Sequence, residues 1–137
     1  MSYSNVYARW HASIRKAREA LAAVWHFYPS RFYFIFLGAS QVIAWLQAAY
    51  IYSRLSSKLL VIHYNINFGV DRVGEPANIF FYPSFGLAVL IVNLALAAVF
   101  SRHKDFKIFT HLLLGAAALF GFFLNLVLLS VYLINFF

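Results

Sequence analysis

Three stretches of this chain carry no Asp, Glu, Lys or Arg: Phe32–Tyr52, Ile79–Phe100, and everything from Ile108 to the C-terminus. Each exceeds the roughly 20 residues a helix needs to cross the hydrocarbon core of a bilayer. The third is longer than one crossing requires, so 133–137 is expected at the interface, or the helix tilts. A polar, turn-rich island at 63–74 separates the first two stretches, and a short basic connection, Ser101–Lys107, separates the last two. The opening residues show no apolar run ending in a small-residue cleavage site, so no signal peptide is expected.

The first thirty residues follow a helical period. Tyr7, Trp10, Ile14, Ala17, Leu21, Val24 and Tyr28 recur at three- and four-residue spacing, with Arg9, Arg15, Lys16, Arg18 and Glu19 on the other side. This pattern predicts a basic amphipathic helix lying on the membrane, with Arg9, Trp10, Arg15, Lys16 and Arg18 at the lipid surface. Docking on a partner subunit, or use as a calmodulin-like target, are the alternatives. Pro29 is expected to stop this helix, Ser30 to cap the next, and Arg31 to snorkel to the headgroups. The expected fold is all-α and integral to the membrane. An interfacial helix at 1–30 precedes a three-helix transmembrane domain at 31–137, which carries an ordered polar loop at 53–78.

Composition supports the same class. The chain is 64% hydrophobic and 11% charged, against about 25% charged for an average soluble domain. A soluble protein of 137 residues has too little interior to hide that much apolar surface. With no Cys there is no disulfide and no thiolate chemistry. The net charge of +7 comes from short clusters beside apolar stretches, which topology and anionic headgroups explain better than nucleic acid does. Arg9, Arg15, Lys16, Arg18 and Arg31 precede the first span, and Arg102, Lys104 and Lys107 lie between the last two. The loop with the island has Arg54, Lys58 and Arg72, offset by Asp71 and Glu75. The positive-inside rule therefore predicts a cytoplasmic N-terminus, with the island and the C-terminus outside.

Polar side chains within the spans indicate which faces meet protein. Gln41, Gln47, Asn93 and Asn125 are costly in hydrocarbon unless partnered. Depth counted at about 1.5 Å per residue pairs Gln41 with Asn93 and Gln47 with Asn125. Small neighbours (Ser40, Ala44, Ala48, Gly86, Ala97, Gly115, Ala118, Gly121) allow the helices to approach closely. A polar pathway for an ion or solute would need ionisable groups, and the spans hold only His111, so packing is the expected role.

In the island, Gly69 and Gly74 are expected to supply turn conformations, with His63, Asn65 and Asp71 bonding loop backbone or one another. Lys58–Tyr64 is β-branched and apolar enough for a short extended run. The pattern Leu60…His63-x-Asn65-x-x-x-Gly69-x-Asp71-x-x-Gly74, followed by Tyr82-Pro83 opening the next helix, resembles the first hairpin of the SdpI-type bacterial membrane proteins. Closely similar loops occur in small membrane proteins of candidate bacterial phyla. The resemblance covers about residues 45–95, with Val61 where that family usually has Pro and a one-residue offset around Gly69 and Asp71. It implies a helical hairpin with a structural or recognition motif at His63, Asn65, Gly69, Asp71, Gly74 and Pro83. On this resemblance alone, the bacterial cytoplasmic membrane is the expected location. It also implies a role in immunity to a membrane-active toxin or in signalling, although the family's additional helices are absent here.

Catalytic and metal readings fare poorly. His63 and Asp71 offer too few strong ligands for a metal, and His11, His26, His103 and His111 are expected on the opposite side of the membrane. A haem between two intramembrane His lacks a second candidate beside His111. His103 and Asp105 read as a charged turn, and no nucleophile set, phosphate loop or paired carboxylates stand out. The expectation is a non-catalytic protein with no metal and no cofactor of its own beyond lipids or pigments of a host complex. Its partners are membrane lipids and other membrane-protein subunits, with no nucleic acid. It is read as an accessory, stabilising subunit of a larger complex, the alternative being a stand-alone immunity or ligand-sensing protein that uses residues 56–78.

Overall fold

Four helices carry most of the chain: α1 (Tyr3–His26), α2 (Tyr28–Leu55), α3 (Phe81–Val99) and α4 (Phe106–Phe136). They belong to a computed structural model that describes residues 3–55, 59–65 and 69–137, giving the backbone alone for 3–6, 63–65 and 69–72. Between α2 and α3 lie strands β1 (Leu60–Asn65) and β2 (Gly69–Gly74) and a 3-10 turn at Pro76–Phe80; a second such turn, Phe100–Arg102, precedes α4. The segments Tyr28–Leu55, Pro76–Arg102 and Phe106–Phe136 are long and apolar enough to cross a membrane. Within their most apolar windows only 28%, 11% and 22% of residues are buried inside the protein. So much outward apolar surface is untenable in water and ordinary in lipid, which settles the class as an integral membrane protein.

The core divides into two clusters. Toward the hairpin end, Ala44, Ala48, Ile51 and Leu55 of α2 pack with Leu124, Leu128 and Val131 of α4, together with Leu60 and Ile79. Toward the α1 end, Val24 joins Leu37, Ala97, Leu114 and Ala117, one cluster drawn from all four helices. Between them lies a polar layer built on small residues. A Cβ on Gly121 would stand 2.8 Å from Ser40 Oγ, and one on Gly86 would stand 2.6 Å from Leu124 Cδ2. Both glycines therefore permit approaches that a larger residue would block.

At the α1–α2 junction the structure departs from expectation. The helix ends at His26, and Pro29 lies in the first turn of α2, where its missing N–H costs nothing. Ser30 donates its backbone N–H to the Phe27 carbonyl at 2.9 Å. Its hydroxyl, expected to cap, is instead buried without a partner among the described residues.

The apolar stripe of α1 splits in two. Val24 enters the core, while Tyr7, Trp10, Ile14 and Leu21 stay exposed. An ion pair from Glu19 to Arg102 at 3.1 Å ties α1 to the α3–α4 connection. That connection is the charged turn expected from sequence: the Asp105 N–H donates to His103 Nδ1 at 3.2 Å.

Candidate functional site

The island, expected as an ordered polar loop, holds the two paired strands, and the other elements of the described residues are helical. β1 and β2 pair antiparallel, with Leu60 opposite Gly74, Val61 opposite Val73, His63 opposite Arg72, Tyr64 opposite Val70 and Asn65 opposite Gly69. The register is irregular on both sides of His63, where β1 accommodates one extra residue at Ile62 and β2 one at Asp71, as in β-bulges. The extended run expected at Lys58–Tyr64 matches β1 over its described part.

Isolated two-stranded hairpins are marginal, and this one is built into the helical bundle at its base. The side chains of Leu60, the first residue of β1, and Ile79, in the 3-10 turn after β2, are fully buried in the α2–α4 cluster. Asn135, near the end of α4, accepts a hydrogen bond from the Val61 N–H on Oδ1 at 2.9 Å. Its Nδ2 donates to the Val61 carbonyl at 2.9 Å and to the Val131 carbonyl of its own helix at 2.7 Å. A side-chain amide offers both donor and acceptor, so it completes one strand residue as a neighbouring strand would. In an antiparallel ladder the opposed pairs alternate between exchanging bonds and turning them outward. Val61–Val73 is thus an outward-turned pair, and Asn135 covers that edge of β1.

Gly74 corrects a second expectation. It lies in β2 and its φ is outside the left-handed region. A Cβ there would come within 2.8 Å of both Asn78 Nδ2 and Ile62 Cδ1, so the ends of these two side chains would have to shift. Gly69 likewise opens β2, opposite Asn65. The expected side-chain bonds of His63, Asn65 and Asp71 fall on side chains outside the described residues. Pro83 is buried in the first turn of α3, and its carbonyl accepts a bond from Gln41 Nε2 at 2.6 Å.

That bond overturns the expected amide pairs. Gln41 meets Pro83 rather than Asn93, which bonds the Val89 carbonyl of its own helix at 2.9 Å. Helix α2 starts at Tyr28, four residues before the uncharged stretch, which sets Gln41 ~6 Å deeper than a helix starting at Phe32 would. Asn125 meets Ser40 rather than Gln47. Its Nδ2 lies 2.9 Å from Ser40 Oγ, 3.2 Å from the Ser40 carbonyl and 2.8 Å from the Gly121 carbonyl, and its two hydrogens serve two of these at a time. Gln47 Oε1 is buried without a partner among the described residues, beside a cleft of about 310 Å³ between α2 and α4. Gln41 and Asn125 do join helices, as glue of the kind expected, but through Ser40 and a backbone carbonyl.

The surface residues of α1 (Arg9, Trp10, Arg15, Lys16, Arg18) are all exposed. His111 accepts or donates a bond with the Tyr33 hydroxyl at 3.2 Å and meets the Phe27 ring edge-on, with centroids 5.2 Å apart. Asn135 is the site residue that sequence reasoning missed, although a lone amide within an apolar helix end, Leu133-Ile134-Asn135, carries the same signal that marked Asn125. No protein-family model, no curated protein and no solved structure matches this chain.

Proposed function

We propose that this chain is a small non-catalytic membrane subunit that presents its β-hairpin to another membrane protein and stabilises the complex they form. The observation that carries the reading is the anchorage of the hairpin, through buried Leu60 and the Asn135 clamp on Val61. Anchorage of this kind fixes where β2 stands. Among the described residues the sheet has two strands, so β2 offers its far edge, and such an edge held in place suits recognition by backbone pairing. The distribution of Lys and Arg supports a cytoplasmic N-terminus and α3–α4 turn, with the hairpin outside, and the SdpI-type resemblance supports a bacterial cytoplasmic membrane. The exposed Tyr7, Trp10, Ile14 and Leu21 of α1 supply a second contact, to lipid or to the same partner.

Purification from native membranes in mild detergent, with identification of co-migrating chains, tests this reading. A defined partner that is lost on Leu60→Ala is the expected result. A lone species would refute it and favour the stand-alone ligand-sensing role that the SdpI-type resemblance implies.

A further inference from the structure

The groove between α1 and the α2–α3 face combines an apolar floor with a rim that carries the Arg18 guanidinium and the His26 imidazole. It is a cleft of about 460 Å³ lined by Arg18, Leu21, Trp25 and His26 of α1, Phe34 of α2 and Leu94 of α3. Arg18, Leu21, Trp25 and His26 follow helical spacing, so one stripe of α1 forms a whole wall. Trp25 stacks on Phe34, with ring centroids 5.7 Å apart and planes at 22°, which ties that wall to α2. The volume falls within the roughly 300–1,000 Å³ of small-molecule sites.

Charge selects the occupant. Glu19 is the only acidic residue of α1, and it is engaged by Arg102 at 3.1 Å and by Arg15 at 3.9 Å. Among the described residues no carboxylate pairs with Arg18. An unneutralised guanidinium and an exposed imidazole above an apolar cleft call for a ligand with an anionic head and a hydrocarbon tail. We infer that this groove holds one anionic phospholipid, its phosphate at Arg18 and His26 and an acyl chain lying along Leu21, Trp25, Phe34 and Leu94. The site uses neither the hairpin nor the α2–α4 cluster, and of the residues given to the partner reading above it shares only Leu21.

The full chain in nanodiscs tests it, with Trp10 and Trp45 replaced by Phe so that Trp25 is the sole tryptophan reporter. Phosphatidylglycerol brominated on its acyl chain, titrated into phosphatidylcholine, should quench Trp25 at about fivefold lower mole fraction than brominated phosphatidylcholine does. Arg18→Gln should remove that preference, and Lys16→Gln, on the same helix but away from the groove, should keep it. Leu94→Trp, read by native mass spectrometry of retained lipid, should abolish retention by filling the groove while leaving the charges in place. Equal quenching by the two lipids would overturn the proposal. Loss of preference with Lys16→Gln as large as with Arg18→Gln would also overturn it, by showing diffuse surface attraction. So would competition by soluble glycerol phosphate, because the site would then recognise the free anion.

Discussion

Replacing Asn135 by Ala removes the two hydrogen bonds that join α4 to Val61 and leaves the apolar contacts of Leu60 and Ile79 untouched. Each bond contributes about 0.5–1.5 kcal/mol net, so docking of the hairpin should weaken by about 1–3 kcal/mol. Leu60→Ala, which cuts away a fully buried side chain, should cost about 2–5 kcal/mol and serves as the positive control. Peptide-level hydrogen exchange in lipid nanodiscs reads both. With 1.4 kcal/mol per factor of ten, exchange across 59–65 should accelerate by about 5- to 150-fold in Asn135→Ala. The extent of the change matters as much as its size. If the clamp positions the hairpin, residues 69–74 of β2 should accelerate too, although Asn135 touches only β1. Acceleration at Val61 alone would mean that the amide merely covers one peptide group. Unchanged exchange in Asn135→Ala alongside faster exchange in Leu60→Ala would refute the clamp altogether.

Asn125→Leu keeps volume but removes the link to Ser40, and should lower stability to denaturation in detergent by about 0.6–2 kcal/mol; stability equal to the parent would show that the layer is held by packing alone. Gly74→Ala should loosen the hairpin through contact with Ile62 Cδ1, 2.8 Å from the new Cβ. Ile62→Val, which deletes that methyl, should restore part of the loss in hydrogen exchange, and failure of this rescue would return the argument to backbone conformation. The chain has no Cys, so single cysteines at Ser4 and Asn67 report orientation without background. An impermeant reagent applied outside should label Asn67 and spare Ser4, and the opposite pattern would invert the topology.

The transmembrane class was legible because an uncharged run of helical length has few other uses, and each predicted span overlaps one of the three long apolar helical segments. The amide partners were not legible. Helix starts set depth, and the first turn of α2 includes Tyr28, Pro29 and Ser30, residues that look like an interruption in sequence. The second strand was hidden for a related reason. Gly69-Val70-Asp71-Arg72-Val73-Gly74 has a glycine at each end and two charges within, a turn composition, and its strand character comes from pairing with β1. Gly74 was singled out for a conformation it does not adopt, while the close approach of Asn78 and Ile62 to it arises only once the hairpin folds onto the 3-10 turn.

The central claim is that the anchored hairpin meets a protein partner, and Val73 is the position from which to ask. It lies in β2 opposite Val61 and is 51% exposed. A photo-crosslinking side chain introduced there, activated in native membranes, should yield one discrete heavier band, absent when the same group replaces Ile35 on the 71% exposed face of α2. That band should fade when Asn135→Ala is added. No adduct at Val73, or an identical pattern from Ile35, would contradict the account.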